Sequence, residues 1–367
     1  MPFPFPLGAV GHLALSLRAG WWRLTESVAG AERSGIIAPV FMLSSLEIKN
    51  FKCFRELRVG PLAKVNIFVG AGNSGKTSLL EAMCWLPHST PGRGFEVAGL
   101  FRDASLGRGF NKEFDRWFFH DLNSSKDVSL RARLVGNALM SEIVTLVGKP
   151  RDNLPHFQHV ENLVGGHAVY WAPPPENDLP IMRAVNTDRL QAQQLALDYD
   201  RWTKRPENDD RFLGILKAVD PRLKSLRPMD PEGNGMRMVY ADVRLPERIP
   251  LPMLGEGFNR LVQIVGAIIG EGAEVVLVDE IENGLHWKAL PQVWTGLKAA
   301  VSSSKAQIFA TTHSYECIKA AIEVFRGEPR GELAVHRLER RDDGEIQCVT
   351  IEEEMLEQAM DENWEIR

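Results

Sequence analysis

Apolar residues recur along the chain in two patterns, and together these patterns predict an α/β fold. Val275–Val278 is an uninterrupted apolar run, and the runs at 65–69 and 307–310 are equally short and mainly apolar. Runs of this length are typical of strands buried inside a parallel sheet. Apolar residues at 258, 261, 262, 265, 268 and 269 instead form the stripe of a buried helix, and residues 287–302 predict another helix. The pattern therefore predicts a parallel sheet flanked by helices.

Further strands are predicted at both ends of this regular part. Residues 46–48 and 54–59 read as two strands around a turn at 50–52. Residues 333–338 and 346–351 read as two more, and Asp343-Gly344 between them is a favoured hairpin turn.

The remaining segments differ in character from these regular parts. Residues 88–250 are rich in proline and mixed in charge, with helical spacing only at 188–202 and 209–219 and a strand pattern at 236–243. We therefore predict a head formed by residues 42–87 and 251–350, a long, partly helical inserted arm at 88–250, and an acidic tail at 351–367. Residues 1–41 are predicted to be a leader, either disordered or preceding a natural start at Met42, with a targeting role as the alternative.

Composition narrows the class of protein. The chain has 367 residues, of which 44% are apolar and 25% charged, and a net charge of −5. This balance is that of an ordinary globular protein and provides no overall basic field for nucleic acid. The four cysteines have no metal-binding spacing, and no apolar run reaches the roughly 18 residues that a membrane span needs. A cytoplasmic protein without a membrane partner is therefore expected.

The run at 70–77 contains the first candidate chemistry. It reads Gly-Ala-Gly-Asn-Ser-Gly-Lys-Thr, and it follows a predicted strand and precedes a predicted helix at 77–86, as a phosphate-binding P-loop requires. Its backbone N–H groups can surround phosphate oxygens, Lys76 can reach the β- and γ-phosphates, and the Thr77 hydroxyl can ligate Mg²⁺. The predicted nucleotide-binding residues are Gly70, Ala71, Gly72, Asn73, Ser74, Gly75, Lys76, Thr77 and Ser78.

An acidic pair supplies the second half of the predicted site. Asp279 and Glu280 directly follow the apolar run at 275–278. Ligands bind at the carboxyl ends of strands in α/β sheets, so both carboxylates are expected near the phosphates. Asp279 can hold Mg²⁺ and Glu280 can act as the general base on the attacking water.

Several short motifs in a fixed order extend this pattern. "NFKCF" precedes the P-loop, "LGEGFNRL" begins at Leu254, "LVDEIENGLH" contains the acidic pair, and "TTHS" ends the next buried strand. In this order and spacing the chain resembles ABC-type ATPases of the SMC-like branch, and more narrowly the OLD-type ATPases of phage-defence systems. The resemblance covers residues 43–87 and 251–367.

The resemblance implies an ABC-type P-loop ATPase head with a mixed β lobe, whose cofactors are ATP and Mg²⁺. It also implies a homo-oligomer in which two chains sandwich ATP. One chain would supply the P-loop, Asp279, Glu280 and His313, the last as γ-phosphate sensor. The other would supply the signature loop formed by Leu254, Gly255, Glu256 and Gly257. Leu285 and His286 would lie at the contact between the chains.

Two positions qualify this picture. Gly255 and Glu256 stand where the wider family has a serine and the first glycine, so a carboxylate would lie near the phosphates. Like charges repel there unless Mg²⁺ or Arg260 compensates the charge of Glu256, and hydrolysis is therefore expected to be slow.

Lys52, in the turn that approaches adenine in such ATPases, is predicted to contact the nucleotide. The neighbouring Phe51 and Phe54 fit an adenine contact or the core equally well.

The resemblance also suggests a role. About fifty residues follow His313, too few for the Toprim nuclease that many OLD-type proteins carry. We therefore expect an ATPase subunit of an antiviral defence system that controls a separate nuclease or toxin. The alternative is a DNA maintenance ATPase that clamps DNA directly through basic residues of the 88–250 section, such as Arg131 and Arg133.

Overall fold

The structure is a computed structural model that describes residues 42–84, 86, 115–123, 125–135, 140–151, 154–163, 166–170, 182–185, 192–329, 331–351 and 355. The predicted leader, all of residues 87–114 and nearly all of the acidic tail lie outside the described residues. No helix in the described ranges is long and apolar enough to cross a membrane.

The described elements include fifteen strands and six α-helices. The strands are β1 (Met42–Phe51), β2 (Phe54–Val59), β3 (Val65–Val69), β4 (Val128–Val135), β5 (Met140–Arg151), β6 (Leu154–Leu163), β7 (Gly166–Tyr170), β8 (Met182–Val185), β9 (Ser225–Met229), β10 (Met238–Asp242), β11 (Ile249–Pro250), β12 (Val275–Val278), β13 (Gln307–Thr311), β14 (Leu333–Arg340) and β15 (Ile346–Ile351). The α-helices are α1 (Lys76–Met83), α2 (Ala192–Trp202), α3 (Pro206–Val219), α4 (Glu256–Val265), α5 (Leu290–Ser302) and α6 (Tyr315–Phe325).

A six-stranded sheet carries the candidate site. Its order is β15-β14-β3-β13-β12-β8, and every neighbouring pair is parallel except β14 with β15. Val278 pairs with Ala310 and Thr311 pairs with Phe68, so β12, β13 and β3 end at the same edge. A second six-stranded sheet, β2-β1-β4-β5-β6-β7, is antiparallel, and β11-β10-β9 form a small third sheet.

Both faces of the parallel sheet are buried. Val276, Val278 and Ile308 point into one apolar cluster with the helices, whereas Val275, Leu277 and Phe309 point into another with the β1–β2 hairpin. Burial on both faces explains why these strands are continuously apolar. The β1–β2 turn residues Phe51 and Phe54 are 0% and 1% exposed, so their side chains belong to the core.

The parallel sheet flanked by helices is confirmed, and the strand pairing also reaches into the predicted arm. Strand β8 pairs with β12 and β4 pairs with β1, although both lie within residues 88–250. The four residues of β8 are too short to predict from an apolar pattern. The division into head and arm stays a prediction, with these two strands as parts of the head's sheets. Smaller differences concern helix ends: α1 ends at Met83, and the buried helix continues past Val265 as a π-helical turn over Gly266–Gly270.

Trp202, at the end of α2, explains that π-helical turn. A Cβ at Gly266 or Gly270 would lie only 2.2 Å from the indole ring, so the ring packs directly on the backbone of the turn. The indole Nε1 donates to Glu271 Oε1 over 3.2 Å. Trp202 therefore packs α2 against the π-helical turn at Gly266–Gly270, which precedes β12.

Replacing Trp202 by alanine is expected to lower the free energy of unfolding by about 3–5 kcal/mol, because a buried aromatic ring leaves a cavity. Trp287→Ala is the control, since its side chain is 59% exposed, and should change stability by less than about 0.5 kcal/mol. Urea denaturation measures both, and equal losses would contradict this role of Trp202.

A buried polar network anchors the strand that leads to the P-loop. His336 in β14 is fully buried, with Nδ1 2.9 Å from Thr350 Oγ1 and Nε2 3.2 Å from Asn66 Oδ1. Asn66, in β3, also donates through Nδ2 to the carbonyl oxygens of Ala63 and Ile308. Burial lowers the pKa of His336 to about 4.

This lowered pKa predicts a pH-dependent stability. The folded protein binds a proton at His336 less readily than the unfolded chain, so this contribution is present above pH about 6.5 and is lost as the pH falls towards 4. The free energy of unfolding should fall more steeply over that interval in the parent than in His336→Gln. Parallel pH profiles of the two proteins would contradict the assignment.

Candidate nucleotide-binding site

The P-loop connects the end of β3 to α1 along a path that requires glycine. Gly70 and Gly75 have φ angles of 142° and 93°, which residues with a Cβ atom rarely adopt. A Cβ at Gly70 would also lie 2.2 Å from the carbonyl oxygen of Leu338 in β14. Gly72 has open space around its Cβ position, so the motif's first and third glycines shape the loop.

Lys76 lies inside this loop. Its Nζ donates to the carbonyl oxygens of Gly70 and Ala71 over 2.8 and 3.0 Å and lies 3.3 Å from Ser74 Oγ. Burial lowers the pKa of Lys76, and the carboxylates of Asp279, Glu280 and Glu282 oppose that effect. A phosphate oxygen would be a stronger acceptor than these neutral carbonyls, because both partners would then be charged.

Asp279 occupies the centre of the site. The Thr77 hydroxyl lies 3.1 Å from Asp279 Oδ2, so β12 and the P-loop meet as the sequence predicts. Thr311, at the end of β13, donates its hydroxyl hydrogen to Asp279 Oδ1 over 2.6 Å and accepts from the Glu280 N–H over 2.8 Å. One threonine side chain thus orients both acidic residues.

Glu280 has an unusual backbone. Its φ is 47°, in the left-handed region that non-glycine residues seldom occupy, and its side chain is exposed. Strained backbone of this kind persists only where the surroundings hold it, and it clusters at functional sites. The Thr311 hydrogen bond and the turn bond from the Asn283 N–H to the Glu280 carbonyl hold it here.

His313 approaches the acidic pair from the neighbouring strand end. It lies between β13 and α6, its side chain is exposed, and its backbone N–H donates to Glu282 Oε1 over 2.8 Å. Ser314, the next residue, caps α6 by accepting from the Cys317 N–H over 3.1 Å. The structure therefore brings the loops that carry His313 and Glu280 together through Glu282.

The signature loop is attached to the loop that follows the acidic pair. The Gly257 N–H donates to the Gly284 carbonyl over 3.1 Å, while Gly255 and Glu256 are exposed and Leu254 is half-buried. Leu285 and His286 line an open groove of about 580 Å³ with Trp287 and Glu316. A contact of this region with a second chain stays a prediction.

Lys52 contacts α1 and Phe118 of its own chain. Its ammonium forms an ion pair with Glu81 of α1, which is fully buried, and lies 4.7 Å from the ring centre of Phe118. The turn at 51–54 also packs on the P-loop, since a Cβ at Gly75 would lie 2.8 Å from the Phe54 ring. A contact of Lys52 with the nucleotide stays a prediction.

Sequence reasoning missed three contributors. Thr311 and Glu282 were not assigned roles, although both lie inside the motifs "TTHS" and "LVDEIENGLH". Arg260 was considered only as a counter-charge near phosphate. It is in fact 5% exposed, and its guanidinium donates to the backbone carbonyl of Asp279. Arg260 lies outside the apolar stripe at 258, 261, 262 and 265, so the sequence pattern carried no signal for its burial.

The site can hold Mg²⁺ as well as phosphate. Thr77 and Asp279 present a hydroxyl and a carboxylate side by side, and hard oxygen donors of this kind suit Mg²⁺. These two side chains would hold the ion, which would then neutralise charge on the phosphates.

Two family models match parts of the chain. A model described as "AAA ATPase domain" matches residues 42–113, which include the P-loop. A model described as "AAA domain, putative AbiEii toxin, Type IV TA system" matches residues 150–318, which include the signature loop, the acidic pair and His313.

Curated proteins similar in sequence include an ATP/GTP phosphatase of Helicobacter pylori. It is 23% identical over 332 residues, covering 78% of this chain and 89% of the relative. An uncharacterized protein of Methanocaldococcus jannaschii is 33% identical over 72 residues, covering 20% of this chain and 32% of the relative.

Solved structures similar in fold include SMC heads. A head bound to the C-winged helix domain of ScpA has a TM-score of 0.55 at 16% identity, covering 87% of this chain and 99% of the other. A head with an extended coiled coil, bound to the C-terminal domain of ScpA derived from Pyrococcus furiosus, has a TM-score of 0.52 at 13% identity, covering 89% and 100%. The fold is that of an ABC-type P-loop ATPase head, and with the matching ATPase family models the chain is an ATPase.

Lys76→Ala is expected to reduce ATP affinity at least about a hundredfold, because the loop loses its one buried cation beside the phosphates. Isothermal titration with a slowly hydrolysed ATP analogue and Mg²⁺ measures this loss. Lys305→Ala removes an exposed lysine outside the site and should bind like the parent. Equal binding by Lys76→Ala and the parent would contradict the assignment.

Proposed function

We propose that this ATPase is an ATP-operated switch in a bacterial antiviral defence system, where it controls a separate nuclease or toxin. In this proposal two copies enclose ATP and Mg²⁺ between the P-loop of one chain and the Leu254–Gly257 loop of the other. The observation that carries it is the separation of the two halves of the site within one chain. Thr77 and Thr311 meet at Asp279, whereas Gly255 and Glu256 of the signature loop are exposed and contact no phosphate-binding residue of their own chain in the described structure.

Within this proposal each residue has a distinct task. Lys76 binds phosphate oxygens, Thr77 and Asp279 hold Mg²⁺, and Glu280 takes a proton from the attacking water. His313 senses the γ-phosphate from the neighbouring strand end. Its backbone tie to Glu282 would transmit that contact to the loop after Glu280.

The exposed carboxylate of Glu256 favours slow turnover. In the sandwich it would approach the γ-phosphate of the partner's ATP, where like charges repel. Arg260 is buried against the Asp279 carbonyl of its own chain, and Glu256 has the smallest effect of the four carboxylates that act on the pKa of Arg260, so Arg260 compensates the charge of Glu256 only weakly. A switch that remains closed while ATP is bound fits this arrangement better than a fast motor.

The defence role rests on resemblance in sequence. The four motifs resemble OLD-type ATPases, and the family model matched over residues 150–318 is described by a toxin and a type IV toxin–antitoxin system. The proposal places the controlled nuclease or toxin on another polypeptide because of the resemblance to OLD-type ATPases, and the description of the family model adds only a link to toxin systems.

A DNA clamp is the second candidate, because the fold is that of SMC heads. The outer face of the β1–β2–β4 sheet carries Arg58 and Arg131, yet both form ion pairs with Glu47. A mixed surface of this kind is a weaker phosphate-binding site than an unopposed basic strip.

Glu280→Gln tests the switch. The variant is expected to bind ATP like the parent, to lose at least about a hundredfold in kcat because the general base is removed, and to accumulate as an ATP-bound dimer. Single-turnover kinetics and light scattering with ATP and Mg²⁺ measure these effects. Glu323→Gln, an exposed position on α6, is the control.

The same variant separates the two roles. If it remains monomeric with ATP, the sandwich is wrong. If the trapped dimer captures the product of a neighbouring gene and DNA leaves turnover unchanged, the defence switch is supported. DNA-stimulated turnover that falls with added salt would instead favour the clamp.

A further inference from the structure

Arg260 is a buried cation whose guanidinium group has only part of its hydrogen-bonding capacity satisfied. It lies on α4, directly after the signature loop, and is 5% exposed. One guanidinium nitrogen donates to the Asp279 carbonyl, but Nε has no hydrogen-bond partner among the described residues. Burial lowers the pKa of Arg260, and the carboxylates of Asp279, Glu282, Glu280 and Glu256, in decreasing order, oppose that effect.

Glu282 is the complementary group. Its Oε1 accepts from the His313 N–H, whereas its Oε2 is buried and has no partner in the described structure. The Leu285 N–H donates to the Glu282 carbonyl over 2.9 Å, so Glu282 belongs to the same turn as Gly284. Gly284 in turn accepts from Gly257 of the signature loop.

These contacts form a continuous path across the chain. It begins at the exposed Gly255 and Glu256, passes through Gly257 and Gly284 to Glu282, and ends at His313. Arg260 lies beside this path, on the helix that the signature loop begins. An unpaired buried donor and an unpaired buried acceptor of opposite charge are both costly, and each is what the other needs.

We propose that Arg260 and Glu282 are positioning residues that couple the signature loop of a chain to that chain's own Glu280 and His313. When the partner's ATP docks on Leu254–Gly257, α4 shifts so that Arg260 Nε binds Glu282 Oε2. The shift moves the loops that carry Glu280 and His313 into the positions in which these residues act in hydrolysis. The two ATP sites of a sandwich are thereby linked, and this step rests on the proposed dimer.

A double-mutant cycle tests the pair. Arg260→Gln and Glu282→Gln each keep similar volume, and Glu282→Gln keeps an oxygen for the His313 N–H. Each single variant is expected to lower kcat at least about tenfold while KM for ATP changes less than about threefold. The double variant should be no slower than the slower single variant. The Hill coefficient for ATP should fall from above one in the parent to one in all three variants.

The chain offers a matched control pair. Arg222 and Asp220 form an exposed ion pair with Nη2 and Oδ2 2.8 Å apart. Arg222→Gln and Asp220→Asn should leave both kcat and the Hill coefficient unchanged, because exposed pairs contribute little.

The outcomes separate this inference from the proposed function. Single effects that multiply in the double variant would show that the two residues act independently, and unchanged kinetics in both singles would equally overturn the coupling. Each variant is also combined with Glu280→Gln, and ATP-dependent dimers should still form. If the Glu280→Gln parent forms no dimer, the proposed sandwich fails. If Arg260→Gln does not fold, Glu282→Gln alone decides through its Hill coefficient.

Discussion

The parallel register of β3, β13 and β12 is the constraint on which the site depends. Backbone hydrogen bonds align Val278 with Ala310 and Thr311 with Phe68, so three loops leave the sheet at one edge. Thr77 and Asp279, 202 positions apart in the chain, come within hydrogen-bonding distance only because of this alignment. A parallel sheet must bury both faces to form, which explains the two apolar clusters on either side. The chemistry at the edge is therefore a consequence of the packing beneath it.

Local patterns predicted five of the six strands that this sheet contains. The P-loop, the acidic pair and the strand before His313 were found because each couples a short apolar run to a motif with one chemical purpose. Element ends were less predictable: α1 ends at Met83, and a π-helical turn continues α4. The turn depends on Trp202, which is distant in sequence, and no periodicity within residues 256–270 contains that information. Strand β8 was missed for a related reason, since only its neighbour β12 makes its four residues a strand.

Polar groups inside the fold were the least predictable part of the site. Lys52 was assigned to the nucleotide from its position in a turn, and its ion pair with the buried Glu81 depends on how α1 packs beneath that turn. The contacts of Arg260 and Glu282 are likewise with groups on other elements, such as the Asp279 carbonyl and the His313 N–H. A charge is expensive to bury, so a buried charge indicates a partner, but neither the burial of Arg260 nor the identity of its partner follows from the apolar pattern of α4. Sequence thus locates the chemistry better than the contacts that control it.

Those contacts support the proposed switch. The site contains two buried cations and three acids that interact electrostatically: Lys76, Arg260, Asp279, Glu280 and Glu282. A movement of one of these charges therefore changes the electrostatic environment of the others. The strained backbone of Glu280 is held by Thr311, whose hydroxyl also binds Asp279. A ligand that changes the position of Asp279 therefore changes the support of the proposed general base. Hydrolysis in such a site depends on the arrangement of several loops at once, and a partner chain that contacts one of them can delay or permit it.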